Sequence, residues 1–174
     1  VPADGDLWVS YSVNKEDMWI SRIPVPVEIN ASAHADDDFS KNKSIAELTD
    51  WNIYSPVWAP VSLEDQWLKL QDKDPFDYAK VERKIPASKE LKVSFDLKAG
   101  QNNKGTLQIE FLDENGIACS RMELTDDGIF RLKGGSRFAN MMKYEAGKVY
   151  HVEAVLSTVD RNIQVYVDGK RVGL

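Results

Sequence analysis

Carboxylates are the groups in this 174-residue chain best suited to chemistry. The run Glu110-Phe111-Leu112-Asp113-Glu114 sets three acids close together. Two carboxyl groups about 5–10 Å apart in one groove would give a glycoside hydrolase its acid and its nucleophile or base. On an extended strand Glu110 and Glu114 share a face and Asp113 takes the other. Glu114, however, runs into Asn115-Gly116, a turn pair. The Glu-x-Asp-x-x-Glu pattern occurs nowhere in the chain. What remains is a polar face: Gln108 and Glu110 alternate on one strand, Arg121 and Glu123 on the next. Set opposite each other, Glu110 and Arg121 form a cross-strand pair worth about 0.2–1 kcal/mol. Such a face is either solvated or recognises a ligand. A second candidate is aromatic. Trp51, Tyr54 and Trp58 crowd an irregular stretch broken by Pro56 and Pro60. Rings so placed either plug the end of a domain or stack on sugar, and Tyr78 joins them as a fourth candidate ring. The candidate ligand-binding residues are therefore Trp51, Tyr54, Trp58, Tyr78, Glu110 and Arg121, with no catalytic residue among them.

Other chemistries lack their parts. His34 and His151 have no third ligand at a metal-binding spacing. Asp36-Asp37-Asp38 offers oxygens suited to a structural calcium, but the EF-hand spacing is missing, and three acids in a linker read as solvated. No cofactor is called for. Cys119 is the only cysteine, so neither an internal disulfide nor a thiolate zinc cage can form, and it reads as a small buried hydrophobe. No Gly-x-Ser-x-Gly elbow occurs; Gly134-Gly135-Ser136 lacks its spacing and its following helix. A net charge of −6 argues against a nucleic-acid partner, whose phosphates demand clustered Lys and Arg. No apolar run reaches membrane-spanning length.

The elements that must position these residues are strands. Residues 7–13 and 18–23 alternate about a turn-like Asn14-Lys15-Glu16-Asp17 and form a hairpin closed by Pro24 and Pro26. Two strands alone are marginal in water, so the hairpin is expected to dock through Trp8 and Trp19. Residues 30–49 read as a linker, with a short helical turn near Glu47 to Trp51. From residue 50 onward, strands are expected at 67–72, 78–85, 91–97, 107–111, 120–124, 129–132, 150–157 and 162–167, separated by short turn-rich connections. Asp168-Gly169 is the dipeptide that most favours a type I′ hairpin, returning through residues 170–174. The expected fold is all-β: an antiparallel β-sandwich over 50–174 after a hairpin over 1–29, with Leu107, Ile109, Phe111, Val165 and Val167 in its core. The short return strand and the unpartnered first strand suggest an excerpt of a longer protein, the sandwich lacking its last strand or strands.

Two segments carry a family resemblance. Lys148-Val149-Tyr150-His151-Val152-Glu153-Ala154-Val155, followed by Gln164-Val165-Tyr166-Val167-Asp168-Gly169-Lys170, resembles the paired strands of laminin-G-like or concanavalin-A-like jelly rolls. Residues 6–22 resemble the last strands of a sialidase-like β-propeller with BNR-type repeats. The resemblance implies a secreted, periplasmic or cell-surface parent acting on glycans, its chemistry in a propeller that precedes this chain. The sandwich is then an accessory, non-catalytic carbohydrate-associated module whose partners are a glycan and that propeller. A catalytic jelly-roll hydrolase or lyase built on Glu110, Arg121 and Glu123 is one alternative, and a purely structural protein-interaction domain is the other.

Overall fold

The computed structural model describes residues 5–13, 17–25 and 34–172. The chain divides into two compact units, Val1–Pro86 and Ala87–Leu174. All strand pairings among the described residues are antiparallel, and the all-β expectation holds.

The first unit is built from two-stranded ladders. Strands β1 (Gly5–Val13) and β2 (Asp17–Val25) pair along their whole length, and β2 runs through Pro24 rather than ending at it. Both faces of this hairpin carry apolar side chains. Trp8, Met18 and Ile20 lie on one and Leu7, Tyr11 and Trp19 on the other, as the register dictates. Trp8 and Trp19, expected to be covered, are 64% and 54% exposed. One 3-10 turn, Ile45–Glu47, precedes β3 (Trp51–Tyr54), which pairs with β6 (Lys80–Arg83). A regular strand at Trp51–Tyr54 corrects the irregular chain expected there: Pro56 and Pro60 lie beyond it and leave its N–H groups intact. Between them β4 (Val61–Glu64) and β5 (Trp67–Leu70) form a hairpin whose turn residues Asp65 and Gln66 both take positive φ, the type I′ geometry. Arg83 ties the unit together. Its Nε donates to Asp37 at 3.1 Å, and its guanidinium also reaches the carbonyl and the carboxylate of Asp50. Asp37 is thus held in an ion pair rather than simply solvated.

The second unit is a β-sandwich. One sheet has the order β11-β10-β9-β8, from β8 (Leu107–Leu112), β9 (Ala118–Leu124), β10 (Ile129–Gly134) and β11 (Arg137–Lys143). The other has the order β14-β13-β12-β7, from β7 (Glu90–Lys98), β12 (Val149–Ser157), β13 (Asn162–Val167) and β14 (Lys170–Val172). Met122, Leu124 and Phe130 of the first sheet meet Val152, Ala154, Val165 and Val167 of the second in one buried cluster. Leu107, Ile109 and Phe111 pack against it half-buried. The β13–β14 turn is as expected, with Asp168 at φ 50° and Gly169 at φ 75°.

Candidate functional site

Strand period 2 sorts β3 and β6 into two faces, and one of them assembles the first candidate surface. The register sets Asn52 opposite Glu82 and Tyr54 opposite Lys80, so these four side chains share a face. Tyr78, two residues before Lys80, brings its ring to 5.7 Å from that of Tyr54 at an interplanar angle of 53°. Both rings are exposed, at 48% and 58%. With Asn52, Ile53, Lys80 and Glu82 they line a cleft of about 290 Å³. The cleft's polar groups are pre-set. Asn52 Nδ2 donates to Glu82 Oε2 at 3.0 Å, Lys80 Nζ lies 2.8 Å from Glu82 Oε1, and Tyr54 donates its phenol proton to Asp77 Oδ2 at 3.0 Å. The hydrogen bond from Lys80 holds the Glu82 carboxyl below its ordinary range, with Asn52 adding a smaller effect in the same direction. The bond to Asp77 raises the Tyr54 phenol above its ordinary value, so the ring stays neutral and keeps donating. Two tilted rings beside fixed amide, ammonium and carboxylate groups can stack on a sugar's C–H face and hold its hydroxyls.

The other expected rings behave differently. Trp51 packs on Phe39, centroids 5.9 Å apart, and its indole nitrogen is buried without a hydrogen-bond partner among the described residues. Trp58 is 67% exposed and does not line the cleft. Of the four rings, Tyr54 and Tyr78 are brought together.

Glu110 and Arg121 lie in the second unit, on the outward face of the β8–β9 ladder, directly opposite each other as the sequence suggested. Arg121 Nε donates to Glu110 Oε1 at 2.6 Å. The neighbouring Glu123 is only 3% exposed despite facing away from the core. Arg131 on β10 explains this: its Nε donates to Glu123 Oε2 at 2.8 Å, its terminal nitrogen sits 2.7 Å from the same oxygen, and its guanidinium stacks 4.3 Å from the Phe138 ring centroid. Gln108 donates to the other Glu123 oxygen at 3.2 Å. The carboxylates that a hydrolase would need are thus committed to guanidinium and amide partners along a ladder. Sequence reading singled out Glu123 and missed Arg131, whose alternation with Lys133 on β10 was the available signal.

Cys119 is exposed, correcting the buried reading. It alternates with Ser120 and Met122, which point inward, and its thiol donates to the Phe111 carbonyl at 3.0 Å. Among the described residues no three His, Cys, Asp or Glu side chains gather as a metal site, and no helix is long and apolar enough to cross a membrane.

The family model described as "Sialidase-like, CBM domain" matches residues 51–174. A solved structure titled "Sialidase" is 90% identical, with a TM-score of 0.87 over 99% of this chain; the chain spans 16% of the length of that protein. No curated protein matches the sequence.

Proposed function

The chain belongs to the Sialidase-like, CBM domain family, and from that premise we propose that it is a non-catalytic glycan-binding module, jelly-roll in type, of a larger secreted or cell-surface glycan-processing protein. The observation that carries the reading is the Tyr54–Tyr78 cleft with Asn52, Lys80 and Glu82 on its rim. Because the charges there are paired with each other, the cleft suits a neutral sugar whose hydroxyls replace water at the rim. Titration of neutral oligosaccharides from a glycan-array hit tests it. Covering about 60 Å² of ring face is worth about 1.5 kcal/mol, so Tyr54→Ala and Tyr78→Ala each lower affinity about tenfold. Binding unchanged in both variants, or no binding to any glycan, refutes the reading.

The β1–β2 hairpin is proposed to belong to a preceding propeller. A hairpin that met a core on one side only would be polar on the other, whereas this one carries large exposed apolar residues on both faces. In the longer parent the ¹⁹F resonances of fluorotryptophan at Trp8 and Trp19 would move away from their solvent-exposed positions. Identical spectra in parent and fragment would count against the assignment.

A further inference from the structure

The β3–β6 ladder has a second face behind the tyrosine cleft. Strand period sets Asn52, Tyr54, Lys80 and Glu82 on the cleft side, so the opposed pair Trp51 and Arg83 lies on the other. Two strands alone are marginal in water, and that second face needs a cover. Residues 37–48, expected to be part of a linker, form a strap that supplies one. The Phe39 ring packs on Trp51, the 3-10 turn Ile45–Glu47 lies beside β4, and Leu48 after it is buried. The strap holds its own shape: Asp38 accepts from the amide and hydroxyl of Ser40, the Asn42 N–H donates to the Phe39 carbonyl at 3.2 Å, and the Glu47 carboxylate accepts from the Lys43 amide at 2.9 Å.

Arg83 fastens the strap at both ends. Its Nε donates to Asp37 Oδ2 at 3.1 Å, Nη1 donates to the Asp50 carbonyl at 3.2 Å, and Nη2 lies 3.3 Å from the Asp50 carboxylate. Only a guanidinium offers donors in such a fork. Two features of the closed strap work against it. Phe39 is held at φ 56°, a left-handed backbone that is costly for a bulky side chain. The Trp51 indole N–H is buried without a hydrogen-bond partner among the described residues, and opening would give it to water. A strap that is strained and orphans a donor when shut, yet is fastened by one guanidinium, has two accessible states.

We propose that this strap is a latch on the tyrosine cleft and that Arg83 is its positioning residue. Shut, the strap covers the back of the β3–β6 ladder and so fixes the strand pairing that sets Tyr54 beside Tyr78. Open, the ladder loses its cover and the two rings, which pairing alone brings together, move apart. The fraction of molecules with the strap shut then scales the apparent affinity of the cleft. What the cleft holds rests on the glycan-binding reading, whereas the latch is a property of the ligand-free chain.

The test is NMR of the whole chain without ligand, reading hydrogen exchange at the Trp51 indole N–H and the Leu48 amide together with ring-to-ring NOEs between Tyr54 and Tyr78. Loss of a charge-assisted contact is worth about tenfold, so Arg83→Met raises both exchange rates by about that factor and weakens the NOEs, while amide protection in the β4–β5 hairpin and in the second unit is kept. Asp37→Asn acts in the same direction and adds little in the Arg83→Met background, because both remove one contact. The proposal is overturned if Arg83→Met leaves the Trp51 N–H as protected as before, or if the strap opens while the Tyr54–Tyr78 NOEs are unchanged. Full additivity of the two substitutions also overturns it. Loss of β4–β5 protection in both Arg83→Met and the milder Asp37→Asn would mark Arg83 as a general support of the unit and end the proposal too. None of these outcomes depends on a glycan, so failure of the glycan reading and failure of the latch are told apart.

Discussion

Replacing Arg131 with Met should destabilise the sandwich far more than replacing Arg121, although both arginines stand on the same solvent-facing sheet surface. Arg131 places two nitrogens at 2.7 and 2.8 Å from one oxygen of Glu123, a carboxylate 3% exposed. Breaking a buried pair by removing one partner costs about 3–5 kcal/mol, because the surviving charge is left without compensation. Two features reduce that figure here: Gln108 at 3.2 Å and Arg121 at 3.6 Å remain beside Glu123, and the Arg131 side chain is itself 35% exposed. A cost of about 2 kcal/mol follows, including the lost stacking on Phe138. Glu123→Gln leaves only a guanidinium that water can solvate, so its cost is about 1 kcal/mol. Arg121→Met breaks a half-exposed pair with Glu110 and costs about 0.2–1 kcal/mol. Combining Arg131→Met with Glu123→Gln removes the stranded charge, so the double variant is less destabilised than the sum by about 1 kcal/mol or more. Urea unfolding followed by circular dichroism measures all four proteins; at about 4–8 °C per kcal/mol the melting point of Arg131→Met falls by about 10 °C. An Arg131→Met cost below about 0.5 kcal/mol, or additivity within that margin, would show that Glu123 is not held by Arg131 in the way described.

Met122 is fully buried between the sheets, so Met122→Ala costs about 2–5 kcal/mol in the same urea assay. Cys119 reacts with a thiol reagent in the folded protein at a rate that denaturant raises only slightly, as its exposure requires; full protection until unfolding would contradict the structure. Because the folded pKa of Glu82 lies below its unfolded value, its contribution is present above the ordinary carboxylate range and is lost as pH falls through the folded value. Neutral-sugar affinity should therefore be level from pH 8 down to the ordinary carboxylate range of about 4–5 and decline only below it, as Glu82 takes up its proton, which titration at stepped pH measures. Gly169 takes φ 75° in the β13–β14 turn, so Gly169→Val is strained whatever the space around it and lowers the melting point by several degrees, while Asp168→Asn is nearly neutral.

Strands whose two faces meet different media were legible from residue order. In β7, β8 and β13 one face meets the core and the other water, so apolar and polar residues alternate and the parity names the inward side chains. The same parity, applied to Ser120, Met122 and Leu124, already turned Cys119 outward; the composition argument that buried it ignored its place on the strand. Strand β11 was missed for a physical reason. A register shift opposite Phe130 and Arg131 sets an extra residue into it, so Phe138, Met141 and Met142 fail to alternate. The opposition of Glu110 and Arg121 could be read from two alternating strands joined by a short turn, because a tight turn sets the register.

The tyrosine cleft could not be read in this way. Tyr54 and Tyr78 are brought together by the pairing of β3 with β6, across an intervening hairpin, and one-dimensional spacing carries no information about which distant strands pair. The commitment of Glu123 to Arg131 depends likewise on sheet order. Residue order determined the strands, their turns and their inward faces, because those follow from local sterics and the burial of one face. Tertiary structure decided which polar groups meet, because that depends on contacts between residues far apart in the chain.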